Sequence, residues 1–341
     1  MKRLWQERKQ GLMRHCWKGW AAAVLLAAPL MSQAATCTTQ AELAPQDRST
    51  LAALGQQLAT AVQQQDYALL QSDLLPAISQ QWEQIRGAVE DGAPLLKGGQ
   101  IQLRNLYLLD ATKQNAPMDT QFFCSNASGS LTVTITMRSL PPGRYAVVLA
   151  DAAGAPQGGQ IGLILVWDST SSMPRWTLGG VSIRQGILDG HDGVWYWGHA
   201  RELAADNAPW SAWYSYEMAR YLLLPVDFIS SPNLQKLELE QSQIKGSPAD
   251  AFPYTITDGA RSWKIDSIHV NTVLHEPDLA VTYESIGITD PAAERTEAVA
   301  VLGALLKARP ELRQNFHGLW ALASKDGKIT PIIELPMAQI P

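Results

Sequence analysis

Two histidines and two carboxylates lie close together in the sequence and form the polar group best suited to chemistry: His191, Asp192, His199 and Glu202. On a helix that starts at Asp192, His199 and Glu202 are three residues apart and share one face. A metal site needs three convergent ligands, and the HExxH arrangement is absent. We therefore expect capping and helix-surface roles here, and keep His191 and His199 as binding candidates.

A second polar group, His275, Glu276 and Asp278, precedes a predicted strand. Acid–base catalysis would need a partner within hydrogen-bond reach, so this stretch alone favours a solvated turn. His269 and His317 are isolated among apolar residues, which is typical of ordinary core or surface histidines. No nucleophile elbow, phosphate loop, dinucleotide fingerprint or CxxC motif occurs. We predict no catalytic residues, no metal ligands and no cofactor.

Aromatic side chains crowd residues 195–221 and are the strongest unusual feature of the sequence. Tryptophan and tyrosine rings bind sugars and protein partners, but they also fill the space where elements of different type meet. The candidate binding residues in this stretch are Trp195, Trp197, Trp210, Trp213 and Tyr214.

The spacing of these rings predicts how they are placed on their helices. Trp195 and Trp197 are two residues apart and must leave a helix on different sides. Trp210, Trp213 and Tyr214 fall on one stripe, which we expect to be buried against the first or the last region of the chain.

The start of the chain has the features of a secretory signal peptide. Six basic residues precede a short apolar stretch at 21–30, and Ser32-Gln33-Ala34 supplies small residues for cleavage after Ala34. The apolar stretch is shorter than the roughly 20 residues of a spanning helix. Residues 1–34 are thus predicted to direct export to the periplasm or the extracellular space. An uncleaved anchor and a start at Met13 stay open.

Charge and cysteine content agree with export. Removing six Lys/Arg and one Glu from 27 basic and 32 acidic residues leaves 21 and 31, a net charge of −10 compared with −5 for the whole chain. Such an acidic chain repels nucleic acid. Cys37 and Cys124 remain after cleavage, and a pair of cysteines in an oxidising compartment most often forms a disulfide. Two separate buried thiols are the alternative.

Hydrophobic periodicity divides the mature chain into three parts and predicts an α+β fold. Residues 45–184 have helical spacing followed by alternating strand patterns, as at 131–138 and 144–150. Residues 188–244 favour a helical hairpin and a third helix, which we interpret as a brace between domains. Residues 252–341 form a smaller α+β domain, with hairpin signals at Asp258-Gly259 and Asp326-Gly327.

Two stretches resemble known families. The helix that ends in Gln65-Asp66-Tyr67-Ala68, together with GLILVWD and RWTLGGVSI, is similar to the cone-shaped domains of the nuclear transport factor 2-like superfamily over residues 45–184. That resemblance implies a concave pocket between helices and sheet, and no particular reaction. The central hairpin resembles a single tetratricopeptide-type unit, with Ala212, Tyr216, Ala219 and Pro225 near the expected offsets.

These features favour an exported, non-catalytic binding or assembly protein of unknown protein, small-molecule or glycan ligand. One alternative is a small-molecule enzyme that uses the cone-like pocket, where Asp110 and Asp168, at strand ends, are the available carboxylates. Another is a carbohydrate or cell-wall binder that uses an exposed row of rings in the aromatic hairpin.

Overall fold

The computed structural model describes residues 35–126, 128–129, 132–287 and 290–341. The predicted signal peptide at 1–34, with its cleavage site, lies outside the described residues. Within them, no helix is both long enough and apolar enough to span a membrane.

Three α-helices lie between the first two strands of the described chain. They are α1 (Pro45–Gln64), α2 (Tyr67–Ser72) and α3 (Trp82–Gly92). Proline at the first position suits the start of α1, because its missing N–H needs no partner there. Leu51, Leu58 and Val62 repeat at helical spacing and are fully buried. The Asp66 side chain caps α2 by accepting a hydrogen bond of 3.1 Å from the Leu69 amide.

Seven strands belong to this half of the chain, and they divide between two antiparallel sheets instead of forming one continuous meander. They are β1 (Thr36–Thr39), β2 (Gln100–Asp110), β3 (Met118–Ser125), β4 (Thr132–Leu140), β5 (Arg144–Ala153), β6 (Gln160–Asp168) and β7 (Arg175–Arg184). Five of them form an antiparallel sheet in the order β1-β2-β5-β6-β7. The α+β class predicted from the sequence is confirmed.

Both faces of the five-stranded sheet pack against other elements, one face only in part. On one face, β6 residues such as Leu163 and Leu165 pack against α1 in a shared hydrophobic core. This core fills the space between the helix and the sheet. The other face packs on a second sheet, β10-β4-β3, in which β10 is Ile229–Ser230. Phe122 and Ile135 are fully buried in that second core. The first half of the chain therefore has three layers: helix, sheet and sheet.

A disulfide joins Cys37 of β1 to Cys124 of β3, as predicted. Each of these strands is at the edge of its sheet, so the bridge closes one side of the two-sheet layer. The Cα atoms are 5.1 Å apart, and the two cysteines are 87 residues apart in sequence.

The central region is helical, as the sequence indicates. After the two-residue strands β8 (Ile187–Leu188) and β9 (His191–Asp192) come α4 (Gly193–Ala205), α5 (Pro209–Leu223) and α6 (Pro232–Ser242). Asp192 caps α4 through the Trp195 amide at 2.8 Å. Ser231 caps α6, and Pro232 occupies its first position.

The segment between α5 and α6 returns to the first half of the chain. Ile229 pairs with Ile135, so this segment adds β10 to the edge of β4. Val226 packs against Gly162 of β6, where an added Cβ would lie only 2.2 Å from a Val226 methyl. Glycine at 162 is therefore needed for the close approach of this segment.

The last region is an α+β unit built on a five-stranded sheet in the order β11-β12-β13-β14-β15. Its elements are β11 (Tyr254–Asp258), β12 (Arg261–Asn271), β13 (Asp278–Glu284), α7 (Pro291–Ala308), α8 (Leu312–Asn315), β14 (Gly318–Lys325) and β15 (Lys328–Pro336). Both predicted hairpins are present. Strands β13 and β14 pair in parallel, and α7 lies between them in the sequence, as a crossover connection requires.

Helix α5 contributes to the core of this last region. Trp210 and Tyr214 are 1% and 0% exposed and belong to the same apolar cluster as β12, β13 and α7. The rings of Trp210 and Tyr254 are 5.1 Å apart. The sequence predicted burial of the α5 stripe against the first or the last region, and Trp210 and Tyr214 are buried against the last one, with Trp213 partly buried beside them. The described residues belong to one compact body.

Candidate functional site

An apolar groove lies between the two sheets of the first half of the chain. The five-stranded sheet is wider than its three-stranded partner, so the inner faces of β6 and β7 are incompletely covered. The groove has a volume of about 580 Å³. Its lining residues are Thr136, Met137, Arg138, Leu140, Tyr145, Ile164, Val166, Gly179, Asp227, Phe228, Ile229 and Ser230. It is on the face of the sheet opposite α1.

The floor of the groove is formed by small and branched side chains. Ile164 and Val166 are half-buried because no strand covers them. At Gly179, an added Cβ would lie 2.5 Å from the Val166 Cγ2 atom, so glycine keeps this floor open. Such a concave, mostly apolar surface is typical of small-molecule sites.

Two charged groups border the groove, and they differ in their partners. The Asp227 carboxylate is 2.5 Å from Arg184 Nη2 and is neutralised by that pair. Arg138 is exposed and forms no ion pair with another described residue. The Tyr145 hydroxyl donates to the Pro141 carbonyl at 2.7 Å. Arg138 is thus the charged group available to a ligand.

A second polar site lies at one end of the C-terminal sheet. Among the described residues, one donor atom each of Asp278, His317 and Glu334 lies within 4.8 Å of the others. His317 Nδ1 is 3.0 Å from Asp278 Oδ1, and Trp320 Nε1 donates to Asp278 Oδ2 at 3.1 Å. Asp278 is only 1% exposed, whereas the His317 side chain is 40% exposed. The cluster is therefore buried on the Asp278 side and open to solvent on the His317 side.

The strand pairing explains this convergence. Asp278 begins β13, His317 directly precedes β14, and Glu334 pairs with Trp320 across β14 and β15. Parallel pairing of β13 with β14 places the starts of both strands at the same end of the sheet. The sequence interpretation separated these residues: it placed Asp278 in a solvated turn, and it did not consider Glu334.

Electrostatics couples the three groups. The hydrogen bond to Asp278 raises the pKa of His317, although partial burial opposes the increase. Burial, followed by the negative charge of Asp278, raises the pKa of Glu334. These are the directions expected where two carboxylates and an imidazole share a small volume.

The neighbouring candidates from the sequence lie outside this cluster. His275 is an exposed turn residue with a positive φ of 62°, and its amide donates to the Thr272 carbonyl. Glu276 is half-buried and adds to the negative potential at His317. His269 is exposed on β12, opposite Ala280.

The structure brings His191, Trp195 and His199 together as a surface stack. The Trp195 ring is 3.7 Å from that of His191 and 4.8 Å from that of His199, and both pairs are nearly parallel. Trp195 is 42% exposed. His199 Nδ1 is also 3.7 Å from the Glu202 carboxylate, as their spacing suggested. The two stacked imidazoles occupy part of the indole surface, which leaves less of it for a sugar ring.

Trp197 leaves α4 on a different side and belongs to a polar network. Its Nε1 donates to Glu240 at 2.7 Å, and the Arg201 guanidinium binds the same carboxylate through two hydrogen bonds. The Tyr216 hydroxyl lies 3.3 Å from Glu240. The hydrogen bond from Arg201, together with those from Trp197 and Tyr216, lowers the pKa of Glu240. This carboxylate ties α4, α5 and α6 together.

The remaining candidates lie in the interior or at strand ends. Trp210 and Tyr214 are core residues, and Trp213 is half-buried beside them. Asp110 and Asp168 each accept hydrogen bonds from the amide and hydroxyl of a threonine two residues ahead. Hydrogen bonds from Thr170 lower the pKa of Asp168. At Asp110 burial acts to raise the pKa, but the hydrogen bonds from Thr112 and the positive charges of Arg144 and Lys113 together lower it. Both carboxylates therefore stabilise the turn that follows their strand.

Glu217 is the described carboxyl group with the most clearly altered acidity. It lies on α5 facing β12, where it accepts hydrogen bonds from Trp213 Nε1 at 3.2 Å and from the Val270 amide. Burial raises its pKa to about 7, and these hydrogen bonds and Arg220 only partly oppose the increase. Its spacing of four residues from Trp213 predicts a shared helix face but not this buried environment.

We expect Glu217 to make folding pH-dependent. Its folded-state pKa of about 7 exceeds the ordinary value of 4.5, so the folded chain holds this proton more tightly than the unfolded chain. The resulting contribution to the free energy of unfolding is complete below pH 4.5 and is lost as pH rises through 7. Glu217→Gln keeps the acceptor oxygen and should be about 3 kcal/mol more stable than the native chain at pH 8.5, but similar to it at pH 5. Urea unfolding at the two pH values measures the difference.

Glu238→Gln is the matched control for this prediction, because Glu238 is on the surface of α6 and pairs with Arg220. It should change stability by less than about 1 kcal/mol at either pH. An equal effect of Glu217→Gln at pH 5 and pH 8.5 would contradict the prediction.

Comparison with known proteins gives no assignment. No protein-family model matches the chain, and no curated protein or solved structure is significantly similar to it. We therefore infer the function from the geometry of the described residues.

Proposed function

We propose that this protein is an exported, non-catalytic binding protein whose groove takes a small, elongated apolar molecule with one anionic group. The observation that carries the proposal is the apolar groove between the two sheets, bordered by the unpaired cation of Arg138. A volume of about 580 Å³ is within the range of small-molecule sites.

The polar groups around the groove support binding over chemistry. Asp227 is paired with Arg184, and the Tyr145 hydroxyl is hydrogen-bonded to a backbone carbonyl. Neither is arranged as a base beside a nucleophile, which a covalent or acid–base mechanism would need. An arginine at the border of an apolar surface is suited to hold a carboxylate or sulfate while the tail lies on the floor.

Export is part of the proposal. It is supported by the basic and apolar residues at the start of the sequence and by the Cys37–Cys124 disulfide. Disulfides persist in oxidising compartments and are rare where glutathione keeps thiols reduced. We assign the protein to the periplasm or the extracellular space.

We further propose that residues 45–184 are a divergent nuclear transport factor 2-like domain and that α4 and α5 are a single tetratricopeptide-like hairpin. Packing of α1 on a curved antiparallel sheet supports the first, and the antiparallel pair α4–α5 supports the second. The proposed ligand groove differs from the pocket that the resemblance implies, since side chains of α1 fill the space between helix and sheet.

A set of ligands with the same tail and different heads tests the proposed function. We expect displacement of a bound environment-sensitive fluorophore by dodecanoate, weaker displacement by dodecanol and the weakest by dodecyltrimethylammonium. Arg138→Gln should raise the dissociation constant for dodecanoate about tenfold, the effect of one charge-assisted hydrogen bond, and leave that for dodecanol unchanged. Ile164→Trp should fill the floor and weaken binding of both ligands.

Arg261→Gln provides the matched control, because Arg261 is an exposed strand arginine on the C-terminal sheet. It should leave all three dissociation constants unchanged. The proposed anionic head group would be refuted if dodecanoate and dodecanol had equal dissociation constants in the native chain and Arg138→Gln changed neither of them. Failure of every ligand to displace the fluorophore would refute the groove as the binding site.

A further inference from the structure

We propose that Asp278, His317 and Glu334 bind a divalent cation of the Zn²⁺ or Mn²⁺ type. Their donor atoms come within 4.8 Å of one another at the end of the C-terminal sheet, far in sequence from every residue that lines the groove. The site is a separate property of the chain and does not rest on the proposed ligand.

The first observation that supports a bound cation is a carboxylate oxygen of Glu334 without a hydrogen-bond partner. The Oε1 atom of Glu334 is buried and has no hydrogen-bond partner among the described residues. A buried polar atom without a partner costs free energy, and such atoms in folded proteins call for an explanation such as an ion. Here the unpartnered oxygen faces a second carboxylate, so a cation would satisfy both.

The backbone at Gly318 is the second observation. A Cβ added there would lie 2.9 Å from Glu334 Oε1, 2.9 Å from the Leu335 carbonyl oxygen of the neighbouring strand and 3.0 Å from Asp278 Oδ1. Glycine at this position leaves room between the two carboxylates, where any other residue would place a methyl or methylene group. The φ of Gly318 is not in the left-handed region, so conformational freedom does not explain the glycine.

The orientation of the ligands is fixed by the surrounding sheet. Asp278 is almost completely buried and receives a hydrogen bond from Trp320 Nε1, which directs its other oxygen to His317. Metal-ligating carboxylates and imidazoles commonly have such supporting hydrogen bonds. Because the His317 side chain is partly exposed, an ion can enter from solvent and retain water as a further ligand.

The donor set selects the class of cation. Two carboxylates and one imidazole supply two hard oxygens and one nitrogen, a combination suited to Zn²⁺ and Mn²⁺. Ca²⁺ and Mg²⁺ prefer oxygen ligands alone. Binding would join β13, β14 and β15 at one end and stabilise the sheet.

Titration of the purified protein with Mn²⁺ tests the site, with electron paramagnetic resonance reporting the free ion. We expect one bound Mn²⁺ per chain, displaced by Zn²⁺ and not by Mg²⁺. Glu334→Gln and Gly318→Ala should each raise the dissociation constant by more than about tenfold, since ligand and supporting positions have effects of this size. Glu284→Gln, at the exposed opposite end of β13, is the control and should bind normally.

The test separates this site from an adventitious one. Equal affinity of the native chain, Glu334→Gln and Gly318→Ala, or equal weakening by Glu284→Gln, would overturn the proposal. If one of the two site variants does not fold, the other decides, because one changes only a side-chain charge and the other adds only a methyl group. An anomalous-scattering peak for Mn²⁺ in a crystal, if located away from the three side chains, would also refute it.

Discussion

Replacing both Cys37 and Cys124 by serine is expected to lower the free energy of unfolding by about 4–5 kcal/mol. The bridge spans 87 residues, and a cross-link of that span removes much of the conformational entropy of the unfolded chain. It also holds together the edge strands β1 and β3 of two different sheets, so its loss should loosen one side of the first half of the molecule. Guanidinium unfolding of the double variant, compared with the oxidised native chain, measures the effect.

Thiol counting is the control for this prediction. The full sequence has three cysteines, so the oxidised, denatured full-length chain should show one reactive thiol, that of Cys16. Three reactive thiols before reduction would contradict the bridge itself. A bridge with less than about 1 kcal/mol of effect would contradict the stability prediction alone, because residual structure in the unfolded chain can offset the entropy.

Trp210→Ala should destabilise the protein by about 3–5 kcal/mol, the cost of removing a large buried ring and leaving a cavity. Trp210 is 1% exposed, its ring is 5.9 Å from that of Phe252, and the Arg309 guanidinium lies 4.3 Å above it. Since this ring belongs to α5 and its neighbours belong to the C-terminal region, the substitution should also weaken the connection between them. Denaturant unfolding followed by far-UV circular dichroism should show an earlier and broader transition.

Trp195→Ala serves as the matched control, because Trp195 is 42% exposed and its ring contacts are with His191, His199 and the adjacent Tyr196. It should cost less than about 1 kcal/mol. Similar losses for the two variants would show that burial of the α5 stripe contributes little to stability. The same experiment with Trp213→Ala should give an intermediate loss, since that ring is half-buried.

Local patterns predicted much of the fold. Asp258-Gly259 and Asp326-Gly327 have the turn chemistry of tight hairpins, and both hairpins are present. The N-caps at Asp192 and Ser231 were also predictable, since a capping side chain acts on the adjacent turn. These features depend on neighbours in sequence, so the sequence alone is informative.

Pairings between distant segments were not predictable. Nothing in the residues around Ile229 indicates that they form a two-residue strand beside β4, because the pairing depends on where α5 delivers the chain. The convergence of Asp278, His317 and Glu334 depends on the parallel alignment of β13 with β14. One signal was available in principle: glycine at 318 directly follows a histidine, shortly before the predicted hairpin at Asp326-Gly327, and glycine is uncommon in strands.

Strand β10 has a consequence for the order in which the chain can fold. Synthesis delivers residues 45–184 first, yet the edge of β4 stays unpaired and the space above Gly162 stays unfilled until Val226 and Ile229 emerge. Unpaired strand edges recruit other chains. During this interval the nascent first half exposes an unpaired strand edge and an uncovered apolar surface. A fragment ending at residue 184 would therefore tend to self-associate.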